Sequence, residues 1–410
     1  MESKYYTAER NVQILIFLLK AHNIKRIVAS PGATNITFVA SVQQDPFFKL
    51  YSCVDERSAA YMACGMAEES GEPVVISCTG ATASRNYIPG LTEAYYRKLP
   101  VLAVTSTQDI SKIGHLVPQV IDRRQPLNDI TLVSEHINNV RDGVEENDAT
   151  IKINRALLEL RHNGGGPAHI NLTTTYSRDF SIKVLPPARV IKRIDYKCAS
   201  IPTIPSGSRV GIVVGAHREF STELTLTVDR FCGQYNAVVF CDHTSGYHGN
   251  YRVQLSIINS QDQVHSSLND VDILIHIGEV SGDYPLEGIR PKEVWRVSDD
   301  GELRDRYRKL SYVFEMDDLS FFKRYLATEE ESKNSYFEEW NDAISDARGL
   351  IPDLPFSNIW IAQHVSKLIP ENSVVHLGIL NSLRSWNFFD LPSTVHVAQM
   401  IFLGPLSGFM

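Results

Sequence analysis

Short β-branched runs alternate with helix-spaced segments from residue 26 to residue 105, and this alternation constrains the fold more than any other feature. Runs at 26–30, 50–54, 74–78 and 101–105 read as strands. Between them, residues 38–42, 55–71 and 86–96 read as helices. Strands separated by helices do not pair as hairpins; they build a parallel sheet with helices on both faces. A first helix precedes the sheet. Thr7 reads as its cap with Glu9 in the first turn, and Val12, Leu15, Ile16 and Leu19 follow at helical spacing.

The same grammar recurs downstream. Residues 149–161 read as a helix, and Gly164-Gly165-Gly166-Pro167 as a turn into a strand at 168–172. Residues 185–208, rich in Pro, Ser and basic side chains, read as a linker. A second αβ unit has strands at 209–214, 238–241, 273–278 and 293–297 and a helix at 221–235. A charged helix at 329–345 leads to a further helix at 358–368 and a strand at 373–378. The expected class is α/β, built from successive doubly wound parallel-sheet domains. The expected boundaries are 1–184, a linker at 185–208, a central domain at 209–345, and an incomplete third domain at 346–410, too short to complete a core.

Composition narrows the function. A formal net charge of -8 argues against a nucleic-acid partner, which usually leaves a basic footprint. The longest apolar run, 14–19, is too short to span a bilayer, and Met1-Glu2-Ser3-Lys4 shows no signal-peptide pattern. Six cysteines without a C-x-x-C pair are expected as reduced, buried thiols in a cytoplasmic protein.

In parallel sheets ligands bind outside the carboxyl ends of the strands. Three features fall there: the Pro31-Gly32 turn, Glu56, and the loop from Thr79 and Gly80 to Asn86. Glu56 opens a helix lined by Ala59, Ala60, Ala63, Gly65 and Ala67, which is expected to pack deep. Two readings of Glu56 are open locally: a carboxylate serving the helix dipole, or a buried acid held for proton exchange. Its position among the three features favours the second. Asp242-His243-Thr244-Ser245-Gly246-Tyr247-His248 is read as a solvated loop rather than a metal site, and Asp299-Asp300-Gly301-Glu302 as a turn rather than a calcium loop.

The order of these parts resembles the thiamine-diphosphate-dependent enzymes of the acetolactate synthase and pyruvate decarboxylase type. The likeness rests on Ser30-Pro31-Gly32, Val54-Asp55-Glu56-Arg57-Ser58-Ala59-Ala60, Cys78-Thr79-Gly80-Ala81-Thr82, Asn86 with Gly90 and Glu93-Ala94, and Gly166-Pro167-Ala168-His169-Ile170-Asn171-Leu172. Within that family it is nearest to the menaquinone-pathway synthases, through Asp55-Glu56-Arg57-Ser58, residues 294–305 and Leu380-Asn381-Ser382-Leu383-Arg384. The resemblance implies thiamine diphosphate as cofactor, a 2-oxo acid as substrate, and a first domain that binds the pyrimidine ring. It implies that Glu56 hydrogen-bonds that ring, that Pro31 and Gly32 let backbone approach it, and that sites form in a homodimer or homotetramer.

Other roles stay open. Thr79 is either a polar contact to the ligand or a hydroxyl bonded to nearby backbone. Asn86 is a helix cap or a ligand contact. His115 and Gln119 lie where relatives place substrate-facing residues, with surface exposure as the default. Arg384 faces either the cofactor edge or solvent. The arginines that the menaquinone-pathway synthases carry after the Pro-Gly turn and after the fourth strand are replaced by Ala33-Thr34-Asn35 and Ser106-Thr107-Gln108-Asp109, so a different substrate is expected. No Gly-Asp-Gly metal motif occurs, so Mg2+ is expected only with a complete third domain. A truncated or frameshifted end at 400–410, a non-catalytic remnant, or a split enzyme whose partner chain supplies the diphosphate domain are the alternatives that this raises.

Overall fold

The computed structural model describes residues 5–124, 129–261, 266–326 and 334–400. The tail at 401–410 and the start of the expected 329–345 helix lie outside them. The chain divides into two compact units, Met1–Ile191 and Lys192–Met410.

The first unit runs α1 (Arg10–Ala21), β1 (Arg26–Ala29), α2 (Ile36–Gln43), β2 (Lys49–Ser52), α3 (Glu56–Ser70), β3 (Val74–Thr79), α4 (Thr82–Asn86), α5 (Ile88–Tyr96), β4 (Val101–Thr107), β5 (Val133–Ile137), α6 (Gly143–Glu159) and β6 (Ala168–Thr173). Its six strands are all parallel, in the order β2-β1-β3-β4-β6-β5. The period-two alternation of each strand divides the core between two faces. Ile27, Val75, Leu102 and Val104 pack with α1 and α6 on one face. Val28, Ile76 and Ala103 pack with α3 and α5 on the other.

Local chemistry explains most boundaries. Asp55 caps α3 by accepting from Ser58 N at 2.7 Å, and Gly71 ends it at φ 64°. The helix expected over 86–96 breaks at Tyr87, because Pro89 cannot donate into a preceding turn. Asp142 starts α6 earlier than expected, accepting from Val144 and Glu145 N. Thr7 does not cap α1. Glu9 holds the cap position, and the Thr7 hydroxyl accepts from Glu9 N at 3.3 Å.

The expectation that α3 lies deep holds for one side only. Ala59, Ala60, Ala63, Cys64 and Ala67 are buried, and a Cβ on Gly90 of α5 would meet the Ala60 Cβ at 2.4 Å. The opposite side presents Tyr61 and Met62 to solvent, 48% and 40% exposed. The small residues therefore serve a close α3–α5 crossing, while Gly65 has nothing within 4 Å of its would-be Cβ.

The second unit contains β7 (Lys192–Asp195), β8 (Val210–Val214), α7 (Thr222–Tyr235), β9 (Ala237–Cys241), β10 (Arg252–Val253), α8 (Ser256–Asn259), β11 (Asp270–Ile277), β12 (Arg290–Ser298), β13 (Leu310–Glu315), α9 (Asp318–Tyr325), α10 (Ser335–Gly349), α11 (Asn358–Val365), β14 (Val374–Gly378), α12 (Asn381–Trp386) and β15 (His396–Met400). Seven parallel strands form its main sheet, in the order β10-β9-β8-β11-β12-β13-β7. The segment read as a linker thus supplies an edge strand, β7, paired with β13. β14 and β15 form a separate parallel pair.

Candidate active site

In the first sheet β1 lies between β2 and β3, so the chain runs outward from β1 to β2 and returns across it to β3. The loops leaving β1 and β3 therefore diverge at a topological switch point, where open α/β sheets bind ligands. Pro31 and Gly32 follow β1, Thr79 ends β3, and Gly80 follows it.

Close packing accounts for both glycines. A Cβ on Gly32 would lie 2.2 Å from Thr79 Cγ2. One on Gly80 would lie 2.7 Å from the Ser106 carbonyl oxygen and 2.9 Å from Arg123 Nη2. Asn35 fixes the Pro31-Gly32 turn, accepting from Gly32 N at 2.8 Å and donating to Ser30 O and Ser77 Oγ, both at 3.2 Å. Ala81 then turns the chain into α4 at φ 53°, ψ −113°, a conformation costing about 1–3 kcal/mol for a residue with a Cβ.

Glu56 stands half-buried at the first position of α3. The helix-end role falls to Asp55, whose hydrogen bonds with Ser58 hold its carboxyl below the ordinary value. Glu56 instead accepts from Asn86 Nδ2 at 3.0 Å through Oε2. Asn86 is the last residue of α4 and caps no helix start. It donates to Glu56 instead, a pairing across 30 residues that neither local reading anticipated. Among the described residues, neither Glu56 Oε1 nor Thr79 Oγ1 has a hydrogen-bond partner, so both stand available to a ligand. Thr79 contributes its carbonyl to the Cys78 thiol, at 3.1 Å. Burial pushes that thiol up to about 12, and it carries Tyr87 well above a phenol's usual value as well.

The remaining candidates are His115, Gln119 and Arg384. His115 and Gln119 are exposed on the segment after β4, Gln119 at φ 61°, and no described contact joins either to Glu56. Arg384 belongs to the second unit. It is half-buried, and its guanidinium stacks on Tyr284 at 3.8 Å. His243 is likewise structural, its Nε2 within 2.9 Å of the Trp386 and Phe389 carbonyls, and burial brings it down to about 4. Asp300 of the expected turn pairs with Arg304. Among the described residues no group of three or more His, Cys, Asp or Glu is placed to hold a metal ion. No helix among them is long and apolar enough to cross a membrane.

One residue absent from the sequence reading stands next to Gly80. Arg123 is buried beside Gly80 and donates to Thr105 Oγ1 and Asn171 Oδ1 at 3.2 and 2.6 Å. In sequence it is one of two adjacent arginines in a polar segment, and only its burial sets it apart.

Residues 10–126 match the family described as thiamine pyrophosphate enzyme, N-terminal TPP binding domain. Among curated proteins, the chain is 27% identical to the 2-succinyl-5-enolpyruvyl-6-hydroxy-3-cyclohexene-1-carboxylate synthase of Bacteroides thetaiotaomicron, over 96% of this chain and 73% of that protein. It is similar at the same identity to the synthase of that name from Phocaeicola vulgatus, over 96% of this chain and 72% of that one. The Porphyromonas gingivalis synthase is 32% identical over 41% of this chain and 29% of its own length.

Proposed function

Because the chain belongs to the thiamine-diphosphate-dependent enzyme family, we propose that it is a carboligase or decarboxylase acting on a 2-oxo acid, with Glu56 as its proton-handling residue. The observation that carries this reading is the Asn86–Glu56 hydrogen bond at the carboxyl edge of the sheet. It fixes one carboxyl oxygen and, among the described residues, leaves the other without a partner. When bound, thiamine diphosphate supplies the carbon nucleophile and the electron sink for loss of carbon dioxide. The residues present fit its pyrimidine half. Glu56 Oε1 is the proposed partner of a ring nitrogen, Pro31, Gly32 and Gly80 allow close backbone approach, and the Thr79 hydroxyl offers a further polar contact.

The Mg2+ that would accompany the diphosphate is proposed without protein ligands among the described residues. His115, Gln119 and Arg384 remain proposed substrate contacts. Ala33-Thr34-Asn35 and the residues ending β4 offer no arginine, which supports a substrate other than the one named for the synthase relatives. Calorimetric titration of thiamine diphosphate into the chain, with and without Mg2+, tests the cofactor reading. Micromolar binding is the expected result; absence of heat at about 1 mM ligand overturns it.

We also propose that the protein is a homodimer or homotetramer joined through the outer side of α3. A mid-helix glycine costs about 1 kcal/mol relative to alanine. Nothing among the described residues makes use of Gly65, whereas the backbone of a second copy would. Gly65→Trp is expected to convert the assembly to monomers by light scattering. An unchanged mass rejects this interface.

A further inference from the structure

Between α4, α5, β4 and β6, and lined as well by Arg123, Ile130 and Thr131, lies a cavity of about 40 Å³. Among the described residues its lining carries two guanidinium groups, Arg123 and Arg85, and no carboxylate. Arg123 is 5% exposed, and among the described residues its hydrogen bonds go only to the neutral oxygens of Thr105 and Asn171. Its Nε has no partner among the described residues. Thr131 Oγ1, also in the lining, is unpartnered too, in a side chain 5% exposed.

A buried guanidinium without a counter-charge is a costly arrangement. The neighbouring Arg124 has one, Asp122 at 2.6 Å, and the residues that follow, 125–128, include no acid. His169 cannot serve. Thr105 Oγ1 and Ser134 Oγ lie 2.7 Å from its two ring nitrogens, and burial followed by the charge of Arg123 brings it down to about 3. Burial also lowers Arg123 itself, to about 10, with Arg85 adding to the effect.

We propose that this cavity binds a small carboxylate-class anion, held by Arg123 and Arg85 with Thr131 donating its hydroxyl. The volume corresponds to roughly three water molecules, which suits a carboxylate of three or four heavy atoms and is tight for a tetrahedral phosphate. A bound anion ties Arg85 of α4 to Arg123. Asn86 adjoins Arg85, so occupancy braces the helix end that holds Glu56. The site does not depend on the cofactor reading, and its test omits thiamine diphosphate.

The test compares thermal unfolding of the 410-residue chain in acetate and in chloride at equal pH and ionic strength. Acetate at ten times its Kd is expected to raise Tm by about 3 °C, with one site by calorimetry. Arg85→Gln, a change at an exposed side chain, should weaken acetate at least about tenfold, and Arg123→Gln should remove the response. Should the second variant not fold, the first decides. Equal Tm in acetate and chloride means that the cavity holds only water and overturns the proposal. An Arg85→Gln variant that responds like the parent, or inorganic phosphate competing as strongly as acetate, overturns it as well.

Discussion

Glu56→Gln is expected to lower cofactor-dependent turnover of 2-oxo acids by about 10²–10⁴-fold, the range for removing a positioned proton-transfer group. Carbon dioxide release across a panel of 2-oxo acids, with thiamine diphosphate and Mg2+ present, measures it. Glutamine keeps the length of the side chain and can still accept from Asn86, so geometry is retained while the exchangeable carboxyl proton is lost. The fold should survive, because Asp55 rather than Glu56 caps α3. Asn86→Ala tests the same site from the other side. It leaves the acid in place but removes the donor 3.0 Å from Oε2, and is expected to cost about tenfold, in line with the loss of one hydrogen bond. A glutamine variant that turns over at the parent rate would remove Glu56 from the chemistry. Loss in the alanine variant alone would leave Asn86 as the group that matters.

The largest stability effect is expected at Trp295, part of the motif run 294–305. Its side chain is 1% exposed, with ring centroids of Tyr312, Phe314 and Tyr325 at 5.8, 5.7 and 5.7 Å and its Nε1 donating to Glu293 Oε1 at 2.7 Å. Trp295→Ala should destabilise the second unit by about 3–5 kcal/mol, through lost contacts and the cavity left behind. All four tryptophans of the chain, at 295, 340, 360 and 386, belong to this unit. Urea unfolding followed by tryptophan fluorescence therefore reports on it alone, and the midpoint should fall with little change in slope. A loss below about 1 kcal/mol would show that the aromatic cluster closes over the gap. Trp295 is thus a motif residue whose place is explained by packing.

Features that depend on a few neighbouring residues were legible. The runs at 26–30, 74–78 and 101–105 became strands because β-branched side chains bounded by turn residues have one good local solution. Gly71 ended α3 for a similarly local reason. Parallel pairing followed from the helices between strands, and with it came the grouping of Pro31, Gly32, Glu56, Thr79 and Gly80 near one sheet edge. Misreadings arose where a competing local signal or a distant partner intervened. Pro89 divided a helix read as continuous, and residues 192–195 became a strand because β13 offered an open edge.

What the sequence by itself determined is the alternation that makes the sheets, the positions of their turns, and the order of motifs that marks the family. Which polar groups meet was decided only by the tertiary structure. Asn86 reaches Glu56 across 30 residues and Arg123 reaches Asn171 across 48. The difference is physical. Strand and helix preferences act over a few residues, whereas a buried polar group takes the partner that packing brings within about 3 Å. Glu56 could be picked out as an acid at a strand end, but only the folded chain distinguishes it from Asp55, which serves the helix, and pairs it with the amide that holds it in place.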